Sequence, residues 1–211
     1  MYTYKTIIDD NTTQFTEKHS RFIGYVSHTT TDEEAVAFIE KIRSLNSDSR
    51  HNVYAYVLND GNRMRYSDDG EPHGTAGKPI LDIINGMELK DVTVVVTRYF
   101  GGILLGTGGL VRAYSKAAKD TLETAEIFMM VPGIYYSAAC EYANYDQLLS
   151  VITLNGGTVK ETVFQDNVTV LFSVPKSNCD AFNLAVKDTF SSKISAEEIG
   201  EEYTKQKISN I

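Results

Sequence analysis

The 211-residue chain has no tryptophan, only two cysteines and four prolines, and no run of about 18 apolar residues. A membrane-spanning helix needs roughly 20 consecutive apolar residues, so none is expected, and no membrane partner with it. Cys140 and Cys179 lie far apart, with no CxxC or Cys/His spacing, which removes a zinc motif or a disulfide framework as the organising device. Met1-Tyr2-Thr3-Tyr4-Lys5 lacks the basic-then-apolar order of a secretory signal, and a cytoplasmic location is the expectation. Basic residues are in deficit, 20 against 28 acidic, for a net charge of −8. General coating of nucleic acid needs a broad basic footprint and is excluded, whereas a local anion site is not.

What is present is enough apolar material, 42% of residues, for a packed core, and disorder is not expected. A long helical pattern ends near Met129, and Pro132-Gly133 precedes a new strand-like run, so the expected domains are 1–131 and 132–211. In the first, Arg21–Val26 reads as a strand. Thr31 and Glu34 fit a capping box, with Ala35, Phe38, Ile39 and Ile42 following at helical spacing through about Leu45. Residues 52–58 and 63–67 read as a hairpin about the turn Asn59-Asp60-Gly61-Asn62. A short helix is expected between Ala76 and Asn85. The β-branched run within Asp91–Tyr99 suits a strand buried on both faces at the sheet centre. Leu110, Val111, Tyr114, Ala117, Ala118, Leu122 and Ala125 then predict a long helix. The second domain reads β-α-β-β-α-β, the order of a split βαβ, ferredoxin-like domain, with Ser177-Asn178-Cys179-Asp180 capping its second helix. The whole is α+β.

Two segments carry the candidate chemistry. In Ser67–Pro79 the Walker pattern fails, because Pro72 stands where the first Gly is required and Pro79 where Ser or Thr is. Thr75, the amides around Gly77 and Lys78 at a helix entrance still suit an anion. Asp68, Asp69 and Glu71 suit a hard cation such as Mg²⁺, or equally a solvated acidic turn. His73 reads as a base, a switch or surface filler. The second segment has five glycines in nine residues, Gly101, Gly102, Gly106, Gly108 and Gly109, between the buried strand and the long helix. Its backbone must take positive φ or approach something closely, and the helix start is a natural anion receptor. Val111 breaks the Rossmann spacing. Arg98 and Arg112 flank the loop with guanidinium forks suited to phosphate, or to pairing with Asp68, Asp69 or Glu71. No serine or threonine has a nucleophile's context, so catalysis is not the leading expectation. Tyr54, Tyr56, Tyr66, Tyr99 and Phe100 read as core residues first and base-stacking platforms second.

Ser20-Arg21-Phe22-Ile23-Gly24, His51–Tyr56, Ser67–Pro72, Gly74–Pro79, Arg98–Gly102, Leu105-Gly106 and Gly109–Ser115 together resemble the bacterial YigZ branch of the IMPACT family. The motifs cover about residues 15–125, and His73 stands where many relatives carry Ser. The resemblance implies an N-terminal two-layer α/β domain like the second domain of a small-subunit ribosomal protein, and a C-terminal ferredoxin-like domain like one of elongation factor G. Eukaryotic IMPACT proteins act in translational control by competing for the activator of an initiation-factor kinase. They do so with an additional RWD domain not read in this sequence, so that partner does not carry over. The expectation is a cytoplasmic, translation-associated regulator that binds RNA or a ribosomal surface through Arg98, Arg112, Thr75, Gly77, Lys78 and the glycine loop. The alternative is an enzyme or binding protein for a nucleotide or another phosphorylated small molecule, with Mg²⁺ at the same cleft. A third reading makes the loops purely structural. Oligomeric state is left open. Residues 1–131 hold 14 basic and 18 acidic residues, a net of −4, so any anion contact must be local.

Overall fold

The structure, a computed structural model, describes residues 1–59 and 63–207. Most of the turn expected at Asn59–Asn62 lies outside the described residues. The chain divides into two compact units, Tyr4–Phe128 and Met1–Thr3 together with the chain from Met129 onward.

The first unit contains β1 (Tyr4–Ile7), β2 (Asn11–Glu17), β3 (Ser20–His28), α1 (Asp32–Leu45), β4 (His51–Val57), β5 (Met64–Ser67), α2 (Gly77–Gly86), β6 (Val92–Tyr99) and α3 (Thr107–Glu123). Its antiparallel sheet has the order β2-β3-β6-β4-β5, with the β-branched strand at the centre. Val94 stands opposite Val26 and Ala55, and Val95 opposite Tyr25 and Tyr54. Because successive side chains point to opposite faces, β6 serves two cores. Val92, Val94 and Val96 join Ile80 and Ile84 of α2 and Ala113, Tyr114 and Ala117 of α3. Val95 joins Tyr56, Leu58 and the Ala35, Phe38, Ile39 and Ile42 stripe of α1. Helices therefore cover both faces of the sheet, and the expected two-layer arrangement is corrected to three layers. At the start of α1 the Thr31 hydroxyl accepts from the Glu34 N–H at 3.1 Å, and the Glu34 carboxylate accepts from the Thr30 N–H at 2.6 Å.

β1 and β2 carry weak sequence signals. Along β2 only alternate residues are partly buried, and Phe15, its one large apolar side chain, stacks on Phe22 with 5.3 Å between ring centres.

The second unit comprises β7 (Ile127–Cys140), α4 (Tyr145–Leu154), β8 (Thr158–Phe164), β9 (Val168–Pro175), α5 (Cys179–Phe190) and β10 (Ala196–Lys207). β8, β9 and β7 lie side by side, and β10 pairs with β7. α4 and α5 place Leu148, Ile152, Phe182 and Val186 over Tyr136, Val170 and Phe172. Pro132-Gly133 is not a break, since β7 runs through it and pairs with β9 from Gly133 onward. The cap expected at Ser177–Asp180 does not form. Asn178 occupies the cap position in a helical conformation, and its amide donates to the Asn155 carbonyl at 2.9 Å instead.

Helix α3 approaches β3 closely at Gly24. A Cβ there would lie 2.1 Å from Thr121 Oγ1 and 3.0 Å from the Ala117 carbonyl. Gly24→Ala is expected to push α3 off β3 and cost about 2–3 kcal/mol, read from urea denaturation.

Candidate functional site

The acidic turn after β5 folds around its own carboxylate. Asp68 Oδ2 accepts from the Gly74 N–H at 2.8 Å, and Oδ1 accepts from those of Ala76 and Gly77 at 3.1 and 2.8 Å. Burial alone would raise the Asp68 carboxyl, but the three backbone donors outweigh it and hold it below the ordinary carboxylate range. The anion at the entrance of α2 is thus internal. Thr75 is buried and donates to the Pro72 carbonyl at 2.7 Å. Gly77 packs so closely that a Cβ would lie 2.7 Å from the Ser67 carbonyl. Lys78 pairs with Asp82. Thr75 and Gly77 thus serve the turn itself, and Lys78 is paired on the surface.

The three carboxylates proposed for Mg²⁺ do not share a site. Asp69 accepts from the Asn52 N–H at 2.6 Å and from Arg43 at 3.1 Å. Glu71 turns inward, its Oε1 accepting from Arg98 at 2.7 Å and from the Tyr114 hydroxyl at 2.8 Å. Among the described residues no group of three His, Cys, Asp or Glu side chains is placed to hold a metal ion. His73 is 97% exposed.

Arg98 is not an open fork but pairs with Glu71, the alternative to a phosphate role that its acidic neighbours in sequence offered. The Arg98 and Glu71 side chains are 6% and 4% exposed. The guanidinium lies over the rings of Phe22 and Phe100, at 5.6 and 5.4 Å, and makes a long 3.5 Å contact with Ser20 Oγ. Among the described residues its Nε has no hydrogen-bond partner. Burial and the adjacent Glu71 charge push the Tyr114 hydroxyl far above its ordinary range.

The glycine loop serves several ends. A Cβ at Gly101 would fall 2.0 Å from the His19 carbonyl carbon, and the Gly101 N–H donates to Ser20 Oγ at 3.2 Å. Gly102 and Gly106 hold φ of +87° and +74°. Gly106 then opens α3, whose first turn has no side-chain cap and no acidic residue. That helix end faces a cleft of about 390 Å³ lined by Phe100, Leu104, Leu105, Gly106, Thr107, Leu110 and Pro72, with Arg50 and His51 at one side and the Arg98–Glu71 pair. His51 Nδ1 donates to the Asp69 carbonyl at 2.8 Å. Arg112 does not share this cleft. It faces a second cavity of about 230 Å³ with Phe15, Glu17, Lys18, Lys116, Ala113 and Gly109, and Leu105 lines both. The two candidate segments thus meet through Glu71-Pro72 on one side and the Arg98–Leu110 stretch with Tyr114 on the other. Arg50 and Lys18 were not foreseen, since single basic residues beside strands carry no pattern.

Comparison with known proteins agrees with the motifs. The Impact N-terminal domain matches residues 18–122, and a domain of unknown function, DUF1949, matches residues 139–193. An IMPACT family member of Haemophilus influenzae is 35% identical over 87% of this chain and 92% of its own length. The chain belongs to the IMPACT family. The family member YigZ of Escherichia coli is 36% identical over 81% of this chain and 85% of its own. A solved structure titled as a crystal structure of a hypothetical protein is 33% identical, covers 94% of this chain and 98% of its own, and superposes with a TM-score of 0.61. Eukaryotic relatives match a shorter part, as with the IMPACT homolog of Dictyostelium discoideum, 34% identical over 43% of this chain and 27% of its own length. Every residue lining the apolar cleft of this IMPACT family chain lies within the Impact N-terminal match.

Two stability outcomes follow. Glu71→Ala leaves a buried guanidinium uncompensated and is expected to cost about 3–5 kcal/mol by urea denaturation. Asp68 has a folded-state carboxyl below its unfolded value, so its contribution is complete above about pH 4 and fades as pH falls through the lower folded value. Asp68→Asn is therefore expected to be less stable than wild type at pH 7, and that difference is expected to narrow below pH 4 in pH-dependent thermal melts.

Proposed function

We propose that this IMPACT family protein is a cytoplasmic, translation-associated regulator that binds RNA through the cleft at the start of α3. The observation that carries this reading is the uncapped first turn of a 17-residue helix opening into an apolar cleft beside Arg50. Backbone N–H groups at a helix start attract phosphate, and Phe100 with the neighbouring leucines offers a surface for an unstacked base. The finer fold likenesses support the setting. The pairing of β10 with β7, and of β7 with β9 and β9 with β8, supports reading the second unit as a ferredoxin-like domain similar to one in elongation factor G. The resemblance of the first unit to a ribosomal protein domain points the same way. The Mg²⁺-dependent nucleotide alternative is less favoured, because Asp68, Asp69 and Glu71 are engaged by protein donors.

The test adds an anion where the ligand's would sit. Gly108 lies in the first turn of α3 with nothing within 4 Å of a Cβ built on it. Gly108→Asp is expected to raise thermal stability, since an acidic side chain there complements the helix dipole, and to weaken RNA binding about tenfold or more in filter-binding and ribosome-cosedimentation assays. Unchanged binding would count against the cleft. Complete displacement of RNA by a free nucleotide would favour the small-molecule reading.

A further inference from the structure

The apolar cleft and the second cavity share Leu105 as a lining residue, and their chemistries are complementary. In the second cavity Lys18 and Arg112 are exposed, and neither makes an ion pair among the described residues. Lys116 beside them is held by Asp120 at 2.5 Å and lies over the Phe15 ring at 5.1 Å, and Glu17 is the one carboxylate in the lining. Two free cations against one carboxylate make this a local positive site on a unit that is negative overall. The neighbouring cleft has the opposite character, with Phe100, Leu104, Leu105 and Leu110 on its walls. Leu104 is 81% exposed and Phe100 48%, so both stand ready to cover a ligand.

We infer that the two cavities form one binding surface for single-stranded RNA, with a backbone phosphate at Lys18 and Arg112 and the adjoining base in the apolar cleft against Phe100. This rests on the RNA reading above and narrows it to unpaired strands. An A-form duplex keeps its bases stacked and paired, whereas a concave apolar cleft takes a base only when it is splayed out. A chain crossing Leu105 satisfies both cavities at once, because nucleic acid alternates anionic backbone with apolar ring faces. The cleft's Arg50 adds a third cation, so the contact involves few phosphates, in keeping with a local site.

Few phosphate contacts give a shallow, measurable salt dependence. Each phosphate neutralised on a single strand contributes about −0.7 to the slope of log K against log salt. Fluorescence anisotropy of the full chain with a labelled oligouridylate is expected to give a slope of about −1.4, from one phosphate at Lys18 and Arg112 and one at Arg50. Lys18→Ala with Arg112→Ala is expected to reduce it to about −0.7, and Arg112→Glu alone is expected to weaken binding about tenfold. Phe100→Ala is expected to weaken binding by about tenfold at every salt concentration with the slope unchanged. The affinities of Lys187→Ala, on the exposed face of α5, are expected to equal wild type. A self-complementary duplex of the same length is expected to bind at least tenfold more weakly. An unchanged slope in the double variant, or duplex binding as tight as single strand, would overturn the inference while leaving the RNA reading in place if Gly108→Asp still weakens binding. Absence of binding to any RNA would overturn both.

Discussion

The first unit is organised around a buried charge. Arg98 leaves the end of β6 and meets Glu71, which arrives from the turn after β5 and also accepts from Tyr114 of α3. Breaking such a pair leaves an uncompensated ion in a low-dielectric interior, at a cost of several kcal/mol. Every segment that brings a partner is thereby held to one position. The Ser67–Pro72 turn must deliver Glu71, α3 must present Tyr114, and the rings of Phe22 and Phe100 lie against the guanidinium. The glycine loop begins three residues after Arg98, so its path and the cleft's wall are set by this pair. The unpartnered Nε leaves one buried donor in that wall's supporting residue.

The N-termini of the three helices show how the chain divides internal from external anions. α1 uses Thr31 and an acidic first turn. α2 has no acidic residue in its first turn, and Asp68 from the preceding turn fills its entrance with three backbone contacts. α3 has neither. An uncapped helix start carries partial positive charge and unsatisfied donors, so what it lacks in protein partners it offers to solvent or a ligand. With residues 1–131 at a net of −4, long-range attraction of nucleic acid is weak. Affinity then rests on the few groups that touch the ligand, which favours contacts at defined positions over a coating interaction.

Local pattern made much of the fold legible. The β-branched run became the central strand because burial on both faces selects such residues, and Thr31–Glu34 capped α1 because that cap is made within four residues. The βαββαβ order of the second unit was readable from periodicity and paired glycines. What pattern missed depends on distant neighbours. β2 is nearly all polar because one side faces solvent, and Pro132-Gly133 lies within a strand. The site residues follow the same division. Glycine loop and helix start were legible, and an acidic partner for Arg98 was one of two readings, but the choice of Glu71, Asp68 filling the α2 entrance and Lys18 joining Arg112 are products of tertiary folding. Arg98 and Arg112 read alike in sequence, yet one is buried and the other open.

The loop's glycines separate steric need from availability. Gly101 is required by its approach to His19, Gly102 and Gly106 by positive φ, and Gly109 because a Cβ would sit 2.9 Å from that of Leu105. Gly108 has none of these reasons. Its φ lies outside the left-handed region and nothing lies within 4 Å of its missing Cβ. Glycine in a helix costs up to about 1 kcal/mol relative to alanine, mostly in backbone entropy. A glycine that stability disfavours and packing does not demand leaves the first turn of α3 bare. That opening gives a ligand direct approach to the N–H groups of the one first-unit helix start that has no anion of its own.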